Sequence, residues 1–483
     1  VDRLERSRFF LKELSLIVPT RTARLAAALL AATLIAGCAA LGSAPSGGAA
    51  TPARPGAGAG DARPPIVFVH GNGDSAALWL TTMWRFESNG WPRERLHAIH
   101  LPDPQARDDD GVAQAGRSSS AEHRDFLSAE VQRVLARTGA RQVVLVGNSR
   151  GGNAIRNDIR NGGAPRVSHA ILGGTPNHGV WARADFLPGN EFNGAGPFLT
   201  GLNAPQGPEG LEVTPGVRFM TLRSDGNDKF SVPTGEWLGR RGWETRVDVR
   251  SPELRGADNR VLPGLDHREV SFHAKAFEQT WTFITGSPPA RLDIVPEDTV
   301  VLDGEVSALA GASANNRPLA GAQVRVHGVD CASGERRGAP LLERTTAADG
   351  RWGPLRTDPR TCLEFELSGP GLATAHIYRS PFPRSSAVVH LRPLRLTDAD
   401  RAAASVVTMT RPRGYFGLGR DTMSLDGKPL PGIGPGVPGL SSARLALPAA
   451  APRTVLAEFN GERIAVRTWP TSEGRLVVAE LHH

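Results

Sequence analysis

Cysteine is almost missing from this chain: three occur in 483 residues, at positions 38, 331 and 362. So few cannot build a disulfide-dense scaffold, and no Cys/His spacing suits a metal site. Comfortable membrane spans are missing as well. The apolar run at residues 25–36 is too short for one. Clustered basic residues are the third absence. Net charge is +7, but arginine dominates the positive set and is scattered, with no Lys/Arg run interleaved with aromatics. That pattern argues against nucleic-acid binding, although attraction to an anionic surface stays open. What the chain has is length, with 55 glycines and 38 prolines among its 483 residues. It exceeds one ordinary domain and should be globular and loop-rich.

Residues 1–63 read as something other than fold. Arg21 and Arg24 precede the short apolar run, which ends Leu34-Ile35-Ala36-Gly37-Cys38. This is the pattern of an export leader, although Glu5 and Glu13 make residues 1–19 an unusual start for one. Its end resembles a bacterial lipobox, whose cysteine is lipidated and becomes the mature N-terminus. That resemblance implies a lipid anchor on Cys38 and attachment to a membrane. With Ala39 and not Asp following, it implies the outer membrane. Residues 39–63, rich in Ala, Gly, Pro and Ser, read as a flexible tether. Export would carry Cys331 and Cys362 into an oxidising compartment, where a disulfide between them is expected.

From residue 64 to 288, short apolar strands alternate with helix-compatible stretches, the pattern of an α/β domain with a parallel sheet. Ile66-Val67-Phe68-Val69 predicts a buried first strand. Residues 96–101, 143–146, 170–172 and 218–222 predict further strands, and residues 246–249 the last. Ser119 and Glu122 fit a capping box ahead of a helix that buries Leu127, Val131 and Val134. The acidic triplet Asp108-Asp109-Asp110 reads as a solvated loop.

The apolar strand at 143–146 runs into Gly147-Asn148-Ser149-Arg150-Gly151, with a helix-compatible segment behind it. This is the strand–turn–helix setting of a G-x-S-x-G nucleophile elbow. Side chains at Gly147 and Gly151 would collide with the neighbouring strand and helix, so the turn lifts the Ser149 hydroxyl above the sheet. In a chain this rich in glycine, chance supplies such a spacing roughly 0.3–0.5 times. The surroundings therefore decide. After the first strand comes His70-Gly71-Asn72-Gly73-Asp74, and after the strand at 170–172 comes Gly173-Gly174-Thr175-Pro176-Asn177-His178-Gly179. Further on lie Asp225 and Asp228 ahead of Val232-Pro233, then Gly264-Leu265-Asp266-His267-Arg268-Glu269.

These segments resemble the α/β-hydrolase superfamily, and in particular two-domain bacterial and archaeal lipases with a C-terminal β domain. The resemblance implies an α/β-hydrolase fold followed by an all-β domain, and a Ser-Asp-His triad of Ser149, Asp228 and His267. Asp225 is the rival acid. The implied oxyanion donors are the backbone N–H groups of Asn72 and Arg150. His178 comes too early for the triad order and reads as loop architecture or pocket lining, and His273 as a helix-face residue. Residues 180–216, with Trp181, Phe186, Phe192 and Phe198, read as a lid or acyl-pocket cap. Such chemistry needs no metal or organic cofactor. Two departures stand at the elbow: Asn148 where many lipases have His, and Arg150 where apolar residues or Gln are common.

From 289 to 483 the pattern changes to period-two alternation at 324–329, 363–367 and 387–391, with turn signals at 348–350 and 426–427. Helical periodicity is scarce apart from 397–404. This predicts an all-β unit, either a sandwich followed by a smaller β-piece or one barrel-like domain. Residues 292–296 and 377–382 are similar to segments of the lipase C-terminal domain, which implies a role in binding lipid or another insoluble ester. On that reading a cut after Pro288 spares soluble-ester hydrolysis, unless the two parts fold only together. The chain is thus expected to be an exported serine ester hydrolase, a lipase or esterase. The same triad would also serve a polyester depolymerase, an amidase or a peptidase. A surface-binding lipoprotein with a relic hydrolase domain is the non-enzymatic alternative.

Overall fold

Ile66, Val67, Phe68 and Val69 are fully buried on both faces, as an interior strand of a parallel sheet requires. In a computed structural model, which describes residues 63–310 and 313–483, this strand (β1, Ile66–Val69) lies second from one edge of a six-stranded parallel sheet. The others are β2 (Leu96–Ala98), β3 (Val143–Asn148), β4 (Val167–Gly173), β5 (Arg218–Arg223) and β6 (Asp258–Val261). Their order across the sheet is β6-β5-β4-β3-β1-β2. The chain therefore reverses its direction of travel at β1, which pairs with β2 on one side and β3 on the other. Ligands of open α/β sheets bind at such a switch point, beyond the carboxyl ends of the strands.

Helices cover the sheet. Helix α1 (Leu80–Ser88) and α2 (Ser120–Thr138) precede β3, and α3 (Arg150–Asp158) follows it directly. The predicted capping box closes both ways at the start of α2: Glu122 N donates to Ser119 Oγ at 3.1 Å and Ser119 N to Glu122 Oε2 at 2.8 Å. Short α4 (Pro197–Leu202) lies in the 180–216 segment, and α5 (Glu269–Phe272) and α6 (Ala274–Thr285) end the α/β unit. His273 is a cap of α6 and not a residue of its face, since Lys275 N donates to its Nδ1 at 3.2 Å.

Residues 246–249 are not the last strand. Arg246 has φ 60°, which breaks an extended run, and the edge is completed by β6. Asp258–Val261 is polar and partly exposed, so no apolar signal marks it. The acidic triplet is pinned, not merely solvated. Asp108 accepts from Gln114 and Arg117, Asp109 from Gly111 N, and Asp110 from Ser120 N and Oγ.

Beyond residue 300 the described elements are β-strands and short turns, with one helical turn at Asp398–Arg401. Seven strands form one mixed sheet: β7 (Gln323–Val329), β8 (Leu342–Thr345), β9 (Cys362–Ser368), β10 (Thr374–Arg379), β11 (Ser405–Thr410), β13 (Ser442–Leu447) and β16 (Arg475–Glu480). A separate antiparallel sheet holds β12 (Met423–Leu425), β14 (Thr454–Phe459) and β15 (Glu462–Arg467). The larger sheet runs β8-β7-β9-β10-β16-β11-β13. The larger sheet does not close into a barrel, and its Val407 and Val477 share one apolar core with Val455 and Val466 of the smaller sheet. The last strand, β16, inserts in parallel between β10 and β11 and so stitches the early and late strands into one sheet. Residues 387–391 form no ladder. They make isolated bridges, with Val389 N and Leu391 N donating to Asp303 and Glu305 carbonyls. Cys331 and Cys362 are joined by a disulfide. Cys38, the lipobox and the tether to residue 62 lie outside the described residues.

The α/β and β parts share helix α1. Leu80 and Trp84, four residues apart and so on one face, belong to the apolar core of the β sheet with Val324, Phe365 and Leu391. Phe86 faces the other way, edge-on to Phe277 at 5.1 Å. Trp84 Nε1 donates to the Ser385 carbonyl at 3.0 Å. A chain cut after Pro288 would expose Trp84 to water, which favours the alternative that the two parts fold only together. Among the described residues, no helix is long and apolar enough to cross a membrane.

Candidate active site

Ser149 sits at the carboxyl end of β3 with φ 52° and ψ −122°, a positive φ that a non-glycine residue adopts only under constraint. The constraint is close packing. A Cβ on Gly151 would run into the carbonyl oxygens of Val69 and His70, and one on Gly147 into Ile155 and the backbone of Gly152. Both glycines thus have the steric role the spacing predicts. Ser149 N donates to the Gly173 carbonyl at 2.9 Å, and Gly71 packs against the Asn148 and Ser149 side chains.

The 70–73 turn is fixed from inside. His70 is fully buried, its Nδ1 lies 2.9 Å from the Gly71 carbonyl, and its Nε2 accepts from Leu101 N at 3.2 Å. Burial lowers its pKa to about 4, so the ring is neutral at pH 7 and can accept and donate at once. Asn72 Oδ1 accepts from Ala106 N at 2.7 Å, which spends the side chain on the fold. Arg150 is the first residue of α3, so its N–H is one of those the first helical turn leaves without an intrahelical partner.

Of the two candidate acids, the structure brings Asp228 to His267. Their Oδ2 and Nδ1 are 2.8 Å apart, and both residues are buried. The other oxygen, Oδ1, accepts from Phe230 N at 2.8 Å. Phe230 lies edge-on to the imidazole at 4.6 Å. Asp225 is a turn residue: it accepts from Gly226 N, Asn227 Nδ2 and Gly264 N. His178 lines the same pocket as Asp228, His267 and Phe230, but its Nε2 faces Glu212 at 3.3 Å. No hydrogen bond to Ser149 Oγ is formed among the described residues. Unliganded sites often leave that bond to be closed by substrate.

The two departures from the lipase pattern have structural explanations. Asn148 Nδ2 reaches the Gly173 carbonyl at 3.3 Å, the His267 carbonyl at 3.2 Å and Ser271 Oγ at 2.8 Å. It ties the histidine loop to the elbow. Arg150, fully buried, pairs with buried Glu191 and donates to the Pro104 carbonyl and to Ser118 Oγ and O. It hooks the elbow helix to the 180–216 segment. That segment is itself closely packed around Trp181 and Asn193. Trp181 Nε1 donates to the Phe186 carbonyl, and the Asn193 amide bonds Arg183 N, Ala195 N and the Arg183 carbonyl.

The carboxylates flanking His267 were visible in the sequence but carried no signal of their use. Asp266 Oδ1 accepts from Arg268 N and Glu269 N, both at 2.9 Å, and Glu269 Oε2 accepts from Asp266 N at 2.7 Å. Both are buried; burial first, then the nearby Glu269 carboxylate, pushes the Asp266 pKa up. Their countercharges come from the β part and are taken up below.

Residues 63–180 match the family Lipase (class 2), and residues 298–396 match the family Lipase C-terminal domain. Among solved structures, the chain is similar to a Bacillus licheniformis lipase at 20% identity, with 46% of this chain and 89% of that one covered and a TM-score of 0.31. It is also similar to the Legionella pneumophila phospholipase PlaB, at 12% identity, with 70% and 96% covered and a TM-score of 0.34. A third is a Bacillus subtilis carboxylesterase, at 14% identity, with 48% and 86% covered and a TM-score of 0.26. The class 2 match spans β1, the 70–73 turn and the Ser149 elbow, and supports a hydrolase of ester bonds. The chain thus folds as an α/β unit around a parallel sheet followed by a C-terminal all-β region, and each part carries a segment that matches a lipase family.

Proposed function

We propose that the chain is a serine carboxylester hydrolase of the lipase/esterase kind, acting through an acyl-enzyme on Ser149. The observation that carries this is the buried Asp228–His267 pair, its loop tied by Asn148 to the turn that holds a serine at positive φ. Asp228 on Nδ1 fixes the tautomer that leaves Nε2 free to accept a proton. Serine is a poor nucleophile until such a base takes its proton. Ser149 Oγ attacks the ester carbonyl carbon while His267 accepts the hydroxyl proton. The N–H groups of Asn72 and Arg150 receive the developing oxyanion. The C–O bond to the alcohol then breaks, and His267 returns the proton to the leaving oxygen. Water attacks the acyl-serine through the same base, releasing the acid and restoring Ser149.

Residues 180–216 act as a cap over the acyl pocket, held in place through Glu191 and Arg150. Lipid or another insoluble ester is the substrate class, with Cys38 as a lipid anchor at the outer membrane. The test is hydrolysis of p-nitrophenyl esters of graded chain length, beside a triglyceride emulsion and a polyester film. Turnover of the esters should fall by about a factor of 10⁶ in Ser149→Ala. An inert parent chain, or a variant that keeps most activity, would remove the proposal. Faster attack on polyester than on triglyceride would make it a depolymerase.

A further inference from the structure

The groups given chemical roles above all lie in the α/β part, yet three of their loops are held from the β part. The first is the histidine loop. Arg411, buried just past the end of β11, donates from Nη1 to Asp266 Oδ2 at 3.2 Å and from Nη2 to Glu269 Oε1. Tyr415 N donates to the same Asp266 oxygen at 2.7 Å, and Arg420 Nη1 to Glu269 Oε2 at 2.8 Å. Asp266 and Glu269 bracket His267, so one guanidinium grips both ends of the turn that presents the imidazole. The second is the 70–74 turn. Asn316, buried, donates from Nδ2 to the Asp74 carbonyl at 2.7 Å and to the Leu101 carbonyl at 2.9 Å. The third is the acid loop. Lys229, next to Asp228, places Nζ 4.2 Å from the centre of the Tyr415 ring and 3.1 Å from the Gly439 carbonyl.

We infer that Arg411 and Asn316 are positioning residues for ester hydrolysis: they set the histidine and 70–74 loops against Ser149 from the β part. This rests on the Ser149 reading. Geometry is where such residues act, since a displacement of about 1 Å in a catalytic loop costs on the order of 10²-fold in rate. The β part is then a component of the active site's frame, beyond any role at a lipid surface.

A second buried network supplies the control. Arg336 pairs with Glu364 and Glu366 inside the β part, with His376 against Glu364, and touches no catalytic loop. In the full chain, Arg411→Met and Arg336→Met each take one guanidinium from a pair of carboxylates, the Arg411 side chain being 2% exposed and that of Arg336 28%. Measured on a soluble p-nitrophenyl ester well below each variant's melting temperature, kcat should drop about 10²-fold in Arg411→Met with KM within about twofold. Arg336→Met should keep kcat within about twofold. Asn316→Ala, which also removes the amide oxygen that accepts from Arg392 Nη2 at 2.8 Å, should lower kcat about tenfold and decides the matter if Arg411→Met does not fold. Equal kcat in Arg411→Met and Arg336→Met, or parent kcat in Asn316→Ala, overturns the inference. A parent chain without esterase activity would instead overturn the Ser149 reading, so the two failures are distinct.

Discussion

The two buried arginine networks of the β part are built alike and do different things. Arg336 with Glu364, Glu366 and His376 closes on itself within β9, β10 and the loop before β8, and the Trp469 ring stacks on His376 at 4.3 Å. Arg411 and Arg420 reach across to Asp266 and Glu269, beside the imidazole. Their ion-pairing chemistry is alike, although the Arg336 side chain is partly exposed and that of Arg411 is buried. What differs is where the carboxylates sit in the chain. An ion network buried inside one unit specifies that unit's own packing. The same residues split between two units couple a catalytic loop to a distant sheet.

The largest test of that comparison stays inside the α/β part. Asp228→Asn keeps the shape of the acid but not its charge, and should lower turnover about 10⁴-fold. Asp225→Asn should stay within about tenfold, because its oxygens serve only a turn. Comparable losses in both would mean that the acid has been misassigned. Next comes separability. A chain ending at Pro288 takes Arg411 from Asp266 and Glu269 and strips the cover from Trp84. It should lose soluble-ester and emulsion hydrolysis together. Retained soluble-ester activity would show that the β part is only an accessory.

Stability should separate the networks far less than turnover does. Each variant leaves its buried carboxylates with a remaining partner, Arg420 for Asp266 and Glu269 and His376 for Glu364. Arg411→Met should lower the denaturant midpoint at least as far as Arg336→Met, whose guanidinium is partly exposed. The smallest effect concerns pH. His100 of the α/β part stacks on His390 of the β part at 4.2 Å, close to His70. Burial lowers all three pKa values, His70 to about 4 and His390 to about 3. The folded protein thus keeps them neutral while the unfolded chain protonates them below about 6.5. Their contribution is complete above that pH and is lost as pH falls from about 6.5 towards 4. Melting temperature should decline over that window, and less steeply in His390→Gln.

How much of this was legible in the sequence follows from the reach of each signal. Local sterics marked the Ser149 turn and the capping box at Ser119, and the resemblance to lipases pointed to the Asp228 and His267 loops. Strand β6 escaped because an edge strand with a polar face has no apolar alternation to find. The insertion of β16 between β10 and β11 escaped because parallel pairing across 101 and 70 residues leaves no mark on any of the strands. Asn148 and Arg150 stood out as departures, but their partners at Ser271 and Glu191 lie 123 and 41 residues away. Arg411 was one arginine among many, since nothing local tells a buried staple from a surface charge.

The central claim is that Ser149 is the nucleophile of an Asp228–His267-assisted site. Its most direct measurement is intact-mass analysis after treatment with a fluorophosphonate, followed by peptide mapping. The account predicts one adduct per chain, on Ser149, absent in Ser149→Ala and formed far more slowly in Asp228→Asn. No adduct, or an adduct on another residue with Ser149 untouched, would contradict it.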